Sequence, residues 1–309
     1  MSGDRVEAVA RAVLYEGYLL YPYTRSAAKN QVRWTFGGVY PPAWDADPST
    51  MRTECLLRPR GGCRVSVSVR CLQLVRRTSP SETPWQEAAE RLVAEVVADT
   101  DELLSRPRRV EFALPAGCAS EAGAHRKWLT ISGRVTVGAA AVEAGALRIT
   151  AEVENTTPAP AHLDREAALL RSMVSTHMVL RAAAGDFVSL ADPPPELEAA
   201  AARCANAGTW PVLAGEPGAR DTVLSSPIIL EDHPRVAEES PGDFFDATEI
   251  DEILTLRILT LTDEEKAELR RTDERGRRLL ERCESLTGDQ LLRLHGTLRG
   301  LRTLEEDDA

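Results

Sequence analysis

The clearest periodicity in the chain begins at Cys63, where Cys63, Val65, Val67, Val69 and Cys71 alternate with Arg64, Ser66, Ser68 and Arg70. Successive side chains of a strand point to opposite faces, so this stretch predicts a half-buried strand. The apolar phase then flips to Leu72 and Leu74, which predicts a bulge near Cys71 or coverage of both faces. Another strand is expected over residues 109–114. Two alternating segments, residues 129–137 and 147–153, predict an antiparallel pair joined through residues 138–145. Residues 85–98 differ: apolar positions recur at steps of three and four after Pro84, which predicts an amphipathic helix. A helix is expected from Asp164 to Val174, then one or two short strands over residues 178–190. The proline run 193–195 opens a short Ala-rich helix that ends near Cys204. The first apolar run, residues 13–23, fits either a strand or a short helix.

Beyond Cys204 the character changes. Residues 205–246 are acidic and punctuated by proline, and only residues 222–230 look like a strand. Residues 247–309 read as three helices, which start at Thr248 (Asp251 three residues on), Thr262 (Glu265) and Thr287 (Gln290). The last two are capping boxes, in which a Thr hydroxyl and a Glu or Gln side chain each satisfy an orphan amide. The predicted fold is α+β. A β-rich mixed domain spans residues 1–204, an extended arm 205–246, and a helical segment 247–309 packs back on the domain.

Charge adds information through its placement. The net formal charge is -11, which argues against a nucleic-acid partner, since phosphate binding rests on Lys and Arg. Yet residues 1–77 hold twelve bases against six acids, while residues 231–252 hold nine acids and one base, Arg235. The two segments either attract each other or steer different partners. Residues 1–11 carry Asp4, Arg5, Glu7 and Arg11 and no apolar run, and no stretch is long and apolar enough to span a membrane. The expected setting is therefore soluble and cytoplasmic, with reduced cysteines. In that setting the sequon at Asn155 carries no glycan.

Candidate chemistry concentrates in residues 15–44. They contain all five tyrosines (Tyr15, Tyr18, Tyr21, Tyr23, Tyr40), Trp34, Trp44 and Phe36, interleaved with Arg25, Lys29, Asn30 and Arg33. Tyr, Trp and Arg dominate interface hot spots because they bury large rigid surfaces and carry a polar handle. The alternative is an aromatic core closing one end of a β-domain. The Gly37-Gly38 pair permits close backbone approach. A second candidate is the extended stretch 225–234, continuing to Phe244 and Phe245, which reads either as an arm that lies on something or as a solvated linker. Within it Glu231, Asp232 and His233 are a weak metal candidate.

Cys55, Cys63 and Cys71 are spaced by eight, but Pro59 and Gly61-Gly62 are expected to interrupt any single strand through them. Zinc and iron-sulfur sites show closer cysteine pairs, so these read as buried structural thiols. No metal and no cofactor is expected. The chain lacks a nucleophile elbow, a phosphate-binding loop of the G-x-x-x-x-G-K-[ST] type and a dinucleotide fingerprint.

Two sets of segments carry a resemblance: residues 15–23 with 33–38, and Ser226-Pro-Ile-Ile-Leu230 with residues 240–266. Together they resemble an uncharacterised bacterial family encoded beside high-affinity nickel-iron uptake hydrogenases. The resemblance implies a role in assembling, maturing or scaffolding the hydrogenase, with no catalytic residue to carry over. Hydrogen oxidation by this chain is not implied, because the paired C-x-x-C motifs of the nickel-iron centre are absent. The expected function is a non-catalytic accessory protein that binds a hydrogenase subunit or precursor. The expected contact residues are Tyr15, Tyr18, Tyr21, Tyr23, Arg25, Arg33, Trp34, Phe36, Tyr40, Phe244 and Phe245. The alternative is an enzyme of unknown chemistry with a pocket walled by residues 15–44 and Glu16, Arg25 or His233 as polar groups.

Overall fold

In the computed structural model the alternation at Cys63 is the middle of a far longer strand, β1 (Thr50–Ser79). The structure describes residues 2–15, 33–34, 36–80, 82–121, 123–235, 258–272 and 274–285. Two compact units are distinguished: Met1–Gly17 with Trp34–Arg235, and Tyr18–Arg33 with Val236–Ala309.

The first unit is built on β1. Its remaining elements, in chain order, are α1 (Ser2–Leu14), β2 (Glu82–Asp99), α2 (Thr100–Ser105), β3 (Arg108–Leu114), β4 (Gly117–Glu121), β5 (Ala124–Trp128), β6 (Ile131–Ala141), β7 (Leu147–Asn155), α3 (Arg165–Leu169), β8 (Met173–Val188), α4 (Glu198–Ala202), β9 (Trp210–Leu213) and β10 (Thr222–Ser226). The strands form one antiparallel sheet in the order β3-β6-β7-β1-β8-β10-β9, with β2 and β5 also on β1 and β4 on β5. β8 follows one side of β1 along most of its length. The other side is shared, with β7 on residues 50–57 and β2 on residues 64–79.

Between those halves, residues 60–63 of β1 face only Ala184 of β8, because Pro59 pairs with Gly185 and Arg64 with Ala183. Ala184 and Gly62 take positive φ there, 62° and 72°. The expectation that Pro59 and the glycines end the strand is therefore corrected: the interruption is absorbed as a bulge, a place where a sheet tolerates proline. Cys55 and Leu57 from the first half share one core with Val65, Val67, Val69 and Cys71 from the second. Val96 of β2, Val135 of β6, Ile149 of β7 and Leu180 and Phe187 of β8 complete it. Burying each such Val, Leu, Ile or Phe contributes roughly 1.5–3 kcal/mol.

The helix expected over residues 85–98 is strand β2 instead. Val69 pairs with Ala94 and Arg70 with Leu92, so Val93 is an extra residue bulged into the ladder. One slip of phase in a period-two pattern yields steps of three and four, which imitate a helix. The expected phase change near Cys71 is present, as register shifts on both sides of Arg70. The β6–β7 pair and the strand over residues 109–114 form as expected. Met173 and Val174 begin β8 rather than extending the helix after Asp164, which caps α3 through Oδ1 and the Ala167 amide at 2.7 Å.

Two helical layers cover the outer faces of the sheet. Val6, Val9, Ala10 and Val13 form one stripe of α1 and pack on Val179 and Leu224 of β8 and β10. Leu197, Ala200 and Ala201 pack on Leu56 and Val188.

In the second unit the described elements are α5 (Asp263–Thr272) and α6 (Glu274–Ser285). The capping box at Thr262 forms in both halves: the Glu265 amide donates to Thr262 Oγ1 at 3.2 Å, and the Thr262 amide donates to Glu265 Oε2 at 2.9 Å. Arg270 reaches both carboxylate oxygens of Glu284 at 2.9 and 3.0 Å. A continuous helix would set residues 270 and 284 roughly 21 Å apart. The chain therefore turns back between α5 and α6. Ile258, Leu269, Leu279, Leu280 and Cys283 are buried. The expected helix starts at Thr248 and Thr287 lie outside the described residues.

Candidate functional site

β8 does not begin as a plain strand. Leu72 of β1 pairs with Val174 and Arg70 with His177, so Ser175 and Thr176 bulge out of the ladder, with Ser175 at φ 50°. Residues 36–39 fill the resulting step. The Ser175 amide donates to Phe36 O at 3.1 Å, the Thr176 amide to Gly37 O at 3.0 Å, and Val39 and Met173 exchange both backbone bonds at 2.8 and 3.2 Å. Gly37 sits at φ 53°, and a Cβ on it would lie 2.7 Å from Pro227 Cγ and 3.0 Å from the Thr176 nitrogen. Only glycine fits that approach without strain.

Asn155 locks the same segment from below. It is fully buried, and its Nδ2 donates to Val39 O at 2.9 Å and Arg171 O at 2.8 Å, while its Oδ1 accepts from the Thr157 amide at 2.8 Å. This sequon asparagine is a structural pin, with its amide nitrogen fully engaged.

The aromatic residues of the segment divide between interior and surface. Tyr15, Trp34 and Tyr40 are buried, and so is Arg33 of the second unit. Trp34 takes φ 66°, and its Nε1 donates to Gln86 Oε1 at 3.1 Å. Tyr40 stacks on Trp44 with ring centroids 6.3 Å apart, and burial, followed by the nearby Asp47, raises its hydroxyl above the ordinary tyrosine range. Phe36 is the exposed one, at 41%. Tyr18, Tyr21, Tyr23, Arg25, Phe244 and Phe245 lie outside the described residues.

The arm meets this segment. Pro227 packs at Gly37, Ile229 is 73% exposed, and Trp210, paired with Ser226 across β9 and β10, is 45% exposed. Phe36, Trp210 and Ile229 therefore gather at one end of the β8–β10–β9 ladder. Neither Trp210 nor its position here was legible in the sequence, where it is an isolated aromatic before a proline. Further on, the arm lies along β9: Asp232 Oδ1 accepts from the Leu213 amide at 2.8 Å, and the His233 amide donates to Leu213 O at 2.7 Å. Residues 231–233 thus cover a sheet edge, and among the described residues no cluster of three or more His, Cys, Asp or Glu has the arrangement of a metal site. Glu16 and Arg25, the other polar groups of the enzyme alternative, are outside the described residues; the His233 backbone is bound to this edge, while its side-chain Nδ1 is buried with no hydrogen-bond partner among the described residues.

Neither a scan against protein-family models nor a search of curated proteins finds a match for this chain. The resemblance to the hydrogenase-linked family therefore stands on the quoted segments alone.

Two further groups define the electrostatics. His177 is fully buried opposite Arg70. Its Nδ1 donates to Ser175 O at 3.2 Å, leaving Nε2 with no hydrogen-bond partner among the described residues. Burial is the main reason that its pKa falls to about 4, with Arg70 adding to the depression. The imidazole is neutral at ordinary pH. Above it the Glu7 carboxylate of α1 bridges Arg70 and Arg181.

Every arginine of β1 is likewise ion-paired. Arg52 meets Glu54 at 2.5 Å, Arg58 meets Glu196, Arg60 meets Asp186 at 3.2 Å and Arg64 meets Asp99 at 3.0 Å. Arg70 meets Glu7, Arg76 meets Glu166 at 3.6 Å and Arg77 meets Glu87 at 3.5 Å. The seven arginines of β1 are therefore neutralised by acids of their own unit.

Proposed function

We propose that this chain is a non-catalytic accessory protein that binds a partner protein through Phe36, Trp210 and Ile229. The observation that supports this reading is an exposed aromatic and aliphatic set at one end of the ladder, in which Phe36 is held by the Ser175 bulge and flanked by the Gly37 and Asn155 contacts, and Trp210 by its pairing with Ser226. Rigid presentation lowers the ordering cost of binding, and exposed aromatics at such a site are the residue types that carry interface energy. Tyr15, Trp34 and Tyr40 support the platform from inside rather than touching the partner. The resemblance supplies the partner to test: a nickel-iron hydrogenase subunit or its precursor, during assembly, maturation or scaffolding.

The test compares the tagged full chain with the double variant Phe36→Ser, Trp210→Ser, each purified from the native host. A hydrogenase subunit or precursor is expected with the wild type. Recovery should fall about thirtyfold in the variant, as for a loss of about 2 kcal/mol, with the melting temperature unchanged. Equal recovery with both proteins would remove the proposed contact, and absence of any hydrogenase component would remove the proposed partner.

A further inference from the structure

Among the described residues, β2 pairs with β1 alone, so the other edge of an eighteen-residue strand has no hydrogen-bonded strand, while β3 packs near it. An open edge offers unpaired amides and carbonyls, and proteins blunt such edges with charged side chains, Lys above all, with Pro or with bulges. β2 has Pro84 near its start and the bulge at Val93, but residues 94–99 contain no Lys, Pro or bulge, and their only charges are the acids Glu95 and Asp99.

The outward face of that stretch has a pattern of its own. Leu92, Glu95, Val97 and Asp99 stand opposite Arg70, Ser68, Ser66 and Arg64 of β1, while Ala94, Val96 and Ala98 face the core. Leu92 is 55% exposed and Val97 49%. β1 answers Asp99 with Arg64 at 3.0 Å, but it offers only serines to Glu95 and Val97. No ion pair is formed by Glu95 among the described residues, in contrast to every arginine of β1.

We infer that the β2 edge takes up an extended segment of a partner protein in which Lys or Arg alternates with Val, Ile or Leu on one face, with small residues between. Such a strand would set a cation beside Glu95, an aliphatic side chain beside Val97 and a second cation beside Asp99. Its small residues would lie over Ala94, Val96 and Ala98. Main-chain bonds supply the affinity in strand addition and alternate side chains the selectivity. A second copy of β2 fits poorly. Antiparallel self-pairing centred on Glu95 or Val97 sets Glu95 opposite an acid, and centring on Val96 sets it diagonal to two, and like charges across a ladder destabilise it. This surface is separate from the Phe36 platform and does not depend on it.

The probe is a fluorescein-labelled peptide, Lys-Ala-Val-Ala-Lys-Ala-Val-Ala-Lys, titrated against the full chain by anisotropy, with hydrogen exchange read over β2. Expected are saturable binding, slower exchange over residues 94–99, and at least tenfold weaker binding for the exposed substitution Glu95→Lys. The same loss is expected for a peptide N-methylated at alternate residues. No binding, equal binding of the peptide with Glu in place of Lys, or protection confined to other segments would overturn the inference. So would a dimer in sedimentation that is lost on Val97→Lys, which would assign the edge to a second copy.

Discussion

Replacing Asn155 tests whether the segment that presents Phe36 is held by the fold or merely rests on it. Asn155→Ala removes three hydrogen bonds, from Nδ2 to Val39 O and Arg171 O and from the Thr157 amide to Oδ1. Val39 O keeps the Met173 amide at 3.2 Å. The Thr157 amide and the Arg171 carbonyl lose their Asn155 partner. Each buried polar group left unsatisfied costs about 1–3 kcal/mol, so about 3 kcal/mol in all is a fair expectation. For a unit of this size that corresponds to a fall of roughly 6–12 °C in melting temperature.

Asn155→Asp adds a pH signature. The carboxylate still accepts from Thr157 but turns its second oxygen toward two carbonyls, so its folded pKa rises above the usual Asp value of about 3.9. The folded state then holds a proton that the unfolded state releases, and stability falls as pH rises above that value. Denaturant melts followed by circular dichroism at pH 4.5 and 8 should show the Asp variant losing more at pH 8. An Ala variant within about 1 kcal/mol of wild type, or an Asp variant with no added loss at pH 8, would refute the account of Asn155 as the pin.

His177 gives an opposite slope: its folded pKa of about 4 lies below the unfolded value of about 6.5, so the unfolded chain takes up the proton first. Wild-type stability should therefore drop by about 3 kcal/mol as pH falls from about 6.5 to 4, and His177→Asn should lack that part of the slope when both are melted across the window. Thiol titration of the native protein with a disulfide reagent at pH 8 should show one fast thiol, Cys118, the exposed one, and Cys118→Ser should remove the fast phase. Burial pushes Cys71 up to about 12 and Cys204 and Cys283 to about 11, so a fast phase from several thiols would contradict the burial of these cysteines.

The residues alone determined whatever depends on near neighbours in the chain. Alternation fixed the faces of β1 around Val67 and of β7 around Ile149, because side-chain period two is a property of the strand itself. The Thr262–Glu265 cap was legible because both of its bonds are local. Tertiary structure decided what depends on a partner strand. Val93 slips the phase of β2 only because β1 has Arg70 and Val69 at that point, and from one strand the slip is indistinguishable from a helical step. The same holds for the site. Phe36 and Trp34 lie two residues apart in one aromatic run, and which of them faces solvent depends on Gln86, Ser175 and Pro227, which come from three distant parts of the chain. Trp210 joins Phe36 across more than 170 positions of sequence through the β8–β10–β9 ladder. No local pattern encodes that distance, because the hydrogen bonds that bring the two ends together exist only once the sheet has formed.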